Sequence, residues 1–148
     1  MCRTSSLLAP RIPILDRIYV SPFARTIETA TCVTTCKKFA TTPLEITCDL
    51  AETRSISRNN YQNTTIPIKL TQLLAQAGIM YPEPDAHIYE RCAHVIKDLT
   101  TREFSNILLM SHDGTLEIIS SLLGHTCSFG YCDVACFEFR DNKWKYVS

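Results

Sequence analysis

"NILLMSHDGTLEIISSLLG" (106–124) constrains this chain more than any other stretch. An apolar run ends at Ser111 and His112, and a second apolar pattern then starts and stops at Gly124. A continuous apolar run of this length is how a strand covered on both faces reads. The period that follows is helical, and a glycine closes it. We therefore expect a strand over 106–111, a helix over 114–123, and His112 at the junction.

The same grammar recurs. "RIYV" (17–20) is a strand candidate. Ser21 is placed as the N-cap of a helix, with Pro22 in its first turn and Lys37 and Lys38 near its end. "LEITC" (44–48) alternates as a strand does. Residues 49–65 are polar and aperiodic, which predicts a long loop. Helices follow over 67–78 and 86–102, separated by the breaker "YPEPD". Ile88, Cys92, Val95, Ile96 and Leu99 would form the apolar face of the second. "YCDVACFEF" (131–139) and "KWKYV" (143–147) read as a terminal hairpin across "RDNK". Strand–helix alternation predicts an α/β fold of three layers: a mostly parallel sheet with helices on both faces, plus the hairpin. Residues 1–15 read as an irregular lead-in, and 16–148 as one domain.

Charge narrows the function. Fifteen basic and fifteen acidic side chains balance, so no general nucleic-acid surface or anionic-membrane surface is expected. No run approaches the roughly 20 apolar residues of a membrane helix. "MCRTSSLLAPRIPIL" is broken by prolines and Arg11, which is unlike a signal peptide. A cytoplasmic protein is the expectation. The eight cysteines would then be reduced, and most sit in apolar patterns as small hydrophobes. A secreted disulfide framework is the alternative, and the sequon at Asn63 would matter only in that case. A zinc site of His125, Cys127, Cys132 and Cys136 matches no common ligand spacing, although Cys132 and Cys136 would share a strand face. No cofactor or metal is expected. His87 and His94 read as surface or satisfied histidines, and Trp144 and Tyr146 as packing residues.

In parallel α/β sheets ligands gather beyond the carboxyl ends of the strands. Arg25 falls in the loop and first turn after one strand, and His112 after another. Glu52 lies in the polar loop after 44–48. Helix N-termini and a guanidinium suit an anion, so these residues together read as a phosphate site. Each has a plain reading as well: Arg25 as a solvated helix residue, Glu52 as a loop charge.

"IYVSPFARTIETA" (18–30) and the Ser-His-x-x-Thr of 111–115 resemble two motifs of the histidine phosphatase superfamily, which includes the phosphoglycerate mutases. "ERCAHVIKDL" (90–99) and the terminal "FGYCDVACFEFRDNKWKYV" look most similar to its branch of ubiquitin-associated, SH3-containing tyrosine phosphatases. The resemblance runs from residue 16 onward and implies a phosphoglycerate mutase-like fold acting on a phosphate ester or phosphoprotein. It implies that Arg25 grips phosphate, that His112 steadies the transferring phosphoryl, and that Asp113 joins them in binding the phosphate. Glu52 would stand where the family often keeps its proton donor. The family's nucleophile, however, is the histidine of an Arg-His-Gly at the end of an earlier strand. The first histidine here is His87, and no Arg-His-Gly occurs. The given sequence is thus expected to be a partial domain, inactive alone, or else a non-catalytic phosphate- or phosphoprotein-binding module. Repacking, a strand supplied from elsewhere and an incomplete gene product all remain open.

Overall fold

The computed structural model describes residues 9–56 and 66–148. Its sheet has three parallel strands: β1 (Arg17–Val20), β2 (Leu44–Ile46) and β3 (Ile107–Met110), in the order β2-β1-β3. Arg17 pairs with Ile107 and Val20 with Met110, so β1 and β3 run in phase. Successive side chains point to opposite faces. Ile18, Val20, Leu108 and Met110 pack on one face with Val33 and Phe39. Tyr19, Ile107 and Leu109 pack on the other with Ile88 and Ile119.

Helices cover both faces. Helix α1 (Ala24–Thr34) lies over the first, burying Thr26, Ala30 and Val33 at helical spacing. Helices α3 (Asp85–Thr101) and α4 (Asp113–Leu122) lie over the second. Helix α2 (Ile68–Gln76) contributes Leu74 to a third cluster with Phe23, Ala51 and Ile79. The hairpin β4 (Phe137–Arg140) and β5 (Lys143–Tyr146) forms its own antiparallel pair. Its turn puts Asp141 and Asn142 at φ 53° and 57°, the left-handed pair that a two-residue hairpin needs. The three-layer α/β architecture and its hairpin are as expected.

Several boundaries differ. The first helix starts at Ala24 with Phe23 as its cap, so Ser21 is not the N-cap; it is buried, and its hydroxyl is used elsewhere. The helix stops at Thr34, short of Lys38. Thr34 and Thr35 donate their hydroxyls back to the carbonyls of Thr31 and Cys32, which competes with helix continuation. Residues 131–136 are not strand, and Cys132 is at φ 64°, so Cys132 and Cys136 do not share a strand face. Residues 9–15 carry no helix or strand, yet Ile12 and Leu15 belong to the core. Strand β3 packs on both faces but lies at a sheet edge, and each of its residues is only partly buried. The expected loop contains a short 3-10 turn, Cys48–Leu50. Asn63 lies outside the described residues.

Candidate functional site

Because β1 and β3 are parallel, their carboxyl ends open at the same edge, and Ser21 N donates to Met110 O across them at 2.9 Å. The chain after β1 delivers Ser21, Phe23 and Arg25. The chain after β3 delivers His112 as the N-cap residue of α4.

His112 sits between them. Its Nε2 is 2.8 Å from Ser21 Oγ, and its Nδ1 is 2.9 Å from Arg25 Nη2. A guanidinium carries only N–H donors, so Nδ1 must be the acceptor. The proton therefore resides on Nε2, which donates to Ser21 Oγ. Burial, and then Arg25, push the imidazole down to about 3, and Arg91 and Arg54 add to the effect while Asp113 opposes it. His112 is a neutral ring with both nitrogens engaged. Phe23 packs against it in a T-shaped contact with ring centroids 4.9 Å apart, and Arg25 lies over the Phe23 ring at 5.1 Å.

Glu52 reaches the same place. Its Oε1 accepts from Arg25 Nη2 at 2.6 Å and its Oε2 from Arg54 Nε at 2.9 Å. The turn that carries it is pinned carbonyl by carbonyl. Arg91 Nη1 donates to Asp49 O and Ala51 O, Ser111 Oγ to Leu50 O, and Thr115 Oγ1 to Ala51 O. Tyr81, whose phenol burial pushes far up, donates to Glu52 O. Gly114 completes the fit: a Cβ there would run into Thr53 Oγ1.

Arg25, Glu52 and His112, picked out in the sequence, thus meet at one edge. Asp113 does not join them through its carboxylate, which accepts from Gly114 N beside it. That places an acid in the first turn of α4, favourable for the helix but repulsive to an incoming anion. Ser21, Phe23, Arg54 and Arg91 were missed. Arg91 had a signal: it lies three residues after Ile88 and four before Val95, on the apolar stripe, where a charge needs a buried partner. Arg54 and Phe23 carried none.

The other histidines lie elsewhere. His94 Nδ1 pairs with Asp49 Oδ2 at 2.8 Å, and His125 stacks on Tyr146. His87 is exposed. Cys36, Cys48, Cys92, Cys127 and Cys136 are free thiols. Burial raises Cys48 and lifts Cys92 to about 11, so neither offers a thiolate at neutral pH. Among the described residues no group of three or more His, Cys, Asp or Glu is placed to hold a metal ion, and no helix is long and apolar enough to cross a membrane.

Arg25, Glu52 and His112 converge at this edge, with Arg54 on the second oxygen of Glu52. Residues 5–148 match the model of the histidine phosphatase superfamily (branch 1), and the chain belongs to that superfamily. Its fold is that of the phosphoglycerate mutase-like proteins. An Escherichia coli protein assigned as an alpha-ribazole-5'-P phosphatase superposes with a TM-score of 0.69 at 17% identity, over 97% of this chain and 78% of that one. The alpha-ribazole phosphatase of Shigella flexneri gives 0.66 at 16%, over 97% and 77%. YhfR of Bacillus stearothermophilus gives 0.67 at 17%, over 98% and 77%. At such identities the likeness concerns the fold. No curated protein sequence matches the chain. These neighbours are not the SH3-containing tyrosine phosphatases toward which the sequence pointed, and the comparisons do not support that closer affiliation.

Proposed function

We propose that this edge is the phosphate-holding half of a phosphomonoesterase site, with Arg25 gripping the phosphate and His112 beside it. The observation that carries the proposal is the position of Arg25. One guanidinium nitrogen is within hydrogen-bond distance of both Glu52 and His112, and 56% of the side chain remains exposed. Its remaining donors are available to a phosphate ester or a phosphoprotein arriving from solvent. A cytoplasmic location is part of the proposal, since free thiols suit a reducing compartment.

Catalysis through a phosphohistidine needs an imidazole whose lone pair faces phosphorus. His112 spends one nitrogen on Arg25 and the other on Ser21. None of the four histidines belongs to an Arg-His-Gly. We therefore propose that the chain as given binds phosphate without turnover. The second edge of β3, which runs straight into His112, carries no partner strand among the described residues, in keeping with a partial domain.

Two measurements test this. Arg25→Ala is expected to weaken binding of inorganic phosphate or vanadate by about 1.5–3 kcal/mol, the scale of hydrogen bonds to charged groups; an unchanged affinity would reduce Arg25 to a surface residue. On an aryl phosphate the given chain is expected to turn over at the background rate, and a version extended upstream to any in-frame Arg-His-Gly to be active. A trapped phosphohistidine on the short chain would overturn the proposal that it is inactive.

A further inference from the structure

Glu52 is an acid lodged where an anion is expected. Its two carboxylate oxygens divide between two guanidiniums that come from different segments, Arg25 on α1 and Arg54 beyond the 49–52 turn. A phosphoryl group offers the same geometry to a pair of arginines: several oxygens, each able to accept from a separate fork. We infer that Glu52 is the resident anion of this pocket, that an incoming phosphate dianion displaces its carboxylate, and that Arg54 then serves as a second phosphate-binding residue beside Arg25. The inference rests on the phosphate reading of the site.

Three features favour an exchange confined to one side chain. The backbone of 49–52 is fixed, because Arg91, Ser111, Thr115 and Tyr81 satisfy its carbonyls. The Glu52 side chain is still 24% exposed, so it has a path to water. Both guanidiniums are backed by aromatic rings, Arg25 by Phe23 and Arg54 by Tyr81 at 5.4 Å. They keep their places when the carboxylate leaves. The Arg54 side chain is only 13% exposed, which limits the water that can take the place of the carboxylate at its Nε and favours an anion there.

A resident carboxylate weakens the affinity for any competing anion by the free energy of its own ion pairs. Removing its charge while keeping its shape should therefore tighten binding, the reverse of what loss of an ordinary ligand would do. Inorganic phosphate is the probe, titrated calorimetrically into the full chain at fixed pH and ionic strength. Glu52→Gln is expected to bind it about tenfold more tightly, and Arg54→Ala about tenfold more weakly, as suits one charge-assisted hydrogen bond lost or released. Arg54→Lys keeps the charge but loses the fork, and is expected between wild type and alanine. It carries the test if the alanine variant does not fold. Unchanged or weaker binding by Glu52→Gln overturns the resident-anion role, and wild-type affinity in Arg54→Lys or Arg54→Ala overturns the role of Arg54. The control is Arg25→Ala. If it weakens binding while Glu52→Gln does not tighten it, the phosphate site stands and this inference falls. If Arg25→Ala changes nothing, the phosphate reading itself fails.

Discussion

An Arg91→Met variant is expected to lose about 3–5 kcal/mol of unfolding free energy, the cost of breaking a buried ion pair from one side. Arg91 and Glu83 are both buried, with side chains 8% and 3% exposed. Arg91 Nε donates to Glu83 Oε1 at 2.9 Å and its Nη2 to Oε2 at 2.7 Å, a bidentate fork. The other three N–H groups go to the carbonyls of Asp49, Ala51 and Glu52. All five guanidinium donors are used. Methionine fills the stem's volume but leaves the Glu83 carboxylate unpaired and takes one donor from each of three carbonyls, of which Ala51 O keeps Thr115 and Glu52 O keeps Tyr81. Urea unfolding followed by circular dichroism should show a midpoint lowered by roughly 1–3 M, given typical slopes for a domain of this size. Adding Glu83→Gln removes the stranded charge and should recover at least about 1 kcal/mol, since residues in contact do not act additively. A loss below about 1 kcal/mol in the single variant would mean that the pair is not desolvated as the structure has it. The effect reaches the site, because the same guanidinium sets the turn from which Glu52 extends.

The second large effect is a dependence on pH carried by His112. Its folded-state value is depressed to about 3, by burial first and by Arg25 second, from an unfolded value near 6.5. Between those values the unfolded chain binds the proton and the folded chain does not. Stability from this group is therefore complete above pH 6.5 and declines as pH falls toward 3. From pH 7 to pH 5 the decline is about 2 kcal/mol. His94 acts in the opposite sense. Its hydrogen bond to Asp49 raises it, so what it contributes is present at low pH and fades as pH rises. Comparison with His112→Asn isolates the site histidine, because His94 and the carboxylates are common to both proteins. The fall in unfolding free energy between pH 7 and pH 5 should be about 2 kcal/mol greater for wild type than for the variant. Equal falls in the two proteins would mean that His112 titrates normally, and that the neutral ring between Ser21 and Arg25 is wrong.

Much of the framework was legible before any coordinates. The apolar run 107–110 followed by a helical period could only be a strand feeding a helix, and this alone put His112 at a junction. The pattern around 17–30 did the same for Arg25. These are local signals: a period of 2 or 3.6 is written in a dozen neighbouring residues, and it survives in the fold because each face finds a layer to cover it. Where local chemistry is ambiguous the reading slipped. Ser21 suits an N-cap, but the stronger demand on its hydroxyl comes from a histidine 91 residues away. Cys132 and Cys136 looked like strand residues until a left-handed turn intervened.

By itself, then, the sequence determined the alternation of elements, the two strand-end positions of Arg25 and His112, and the lack of an Arg-His-Gly. The tertiary structure decided the rest. It decided that β3 lies at an edge, that Arg54 and Arg25 share one carboxylate, and that Arg91 is spent on the turn rather than on solvent. The physical reason is the same in each case. A periodic face is a property of neighbours along the chain, whereas the carboxylate that Arg25 meets and the protonation state of His112 depend on groups 27 and 87 residues apart, brought within 3 Å only by the packing of the layers.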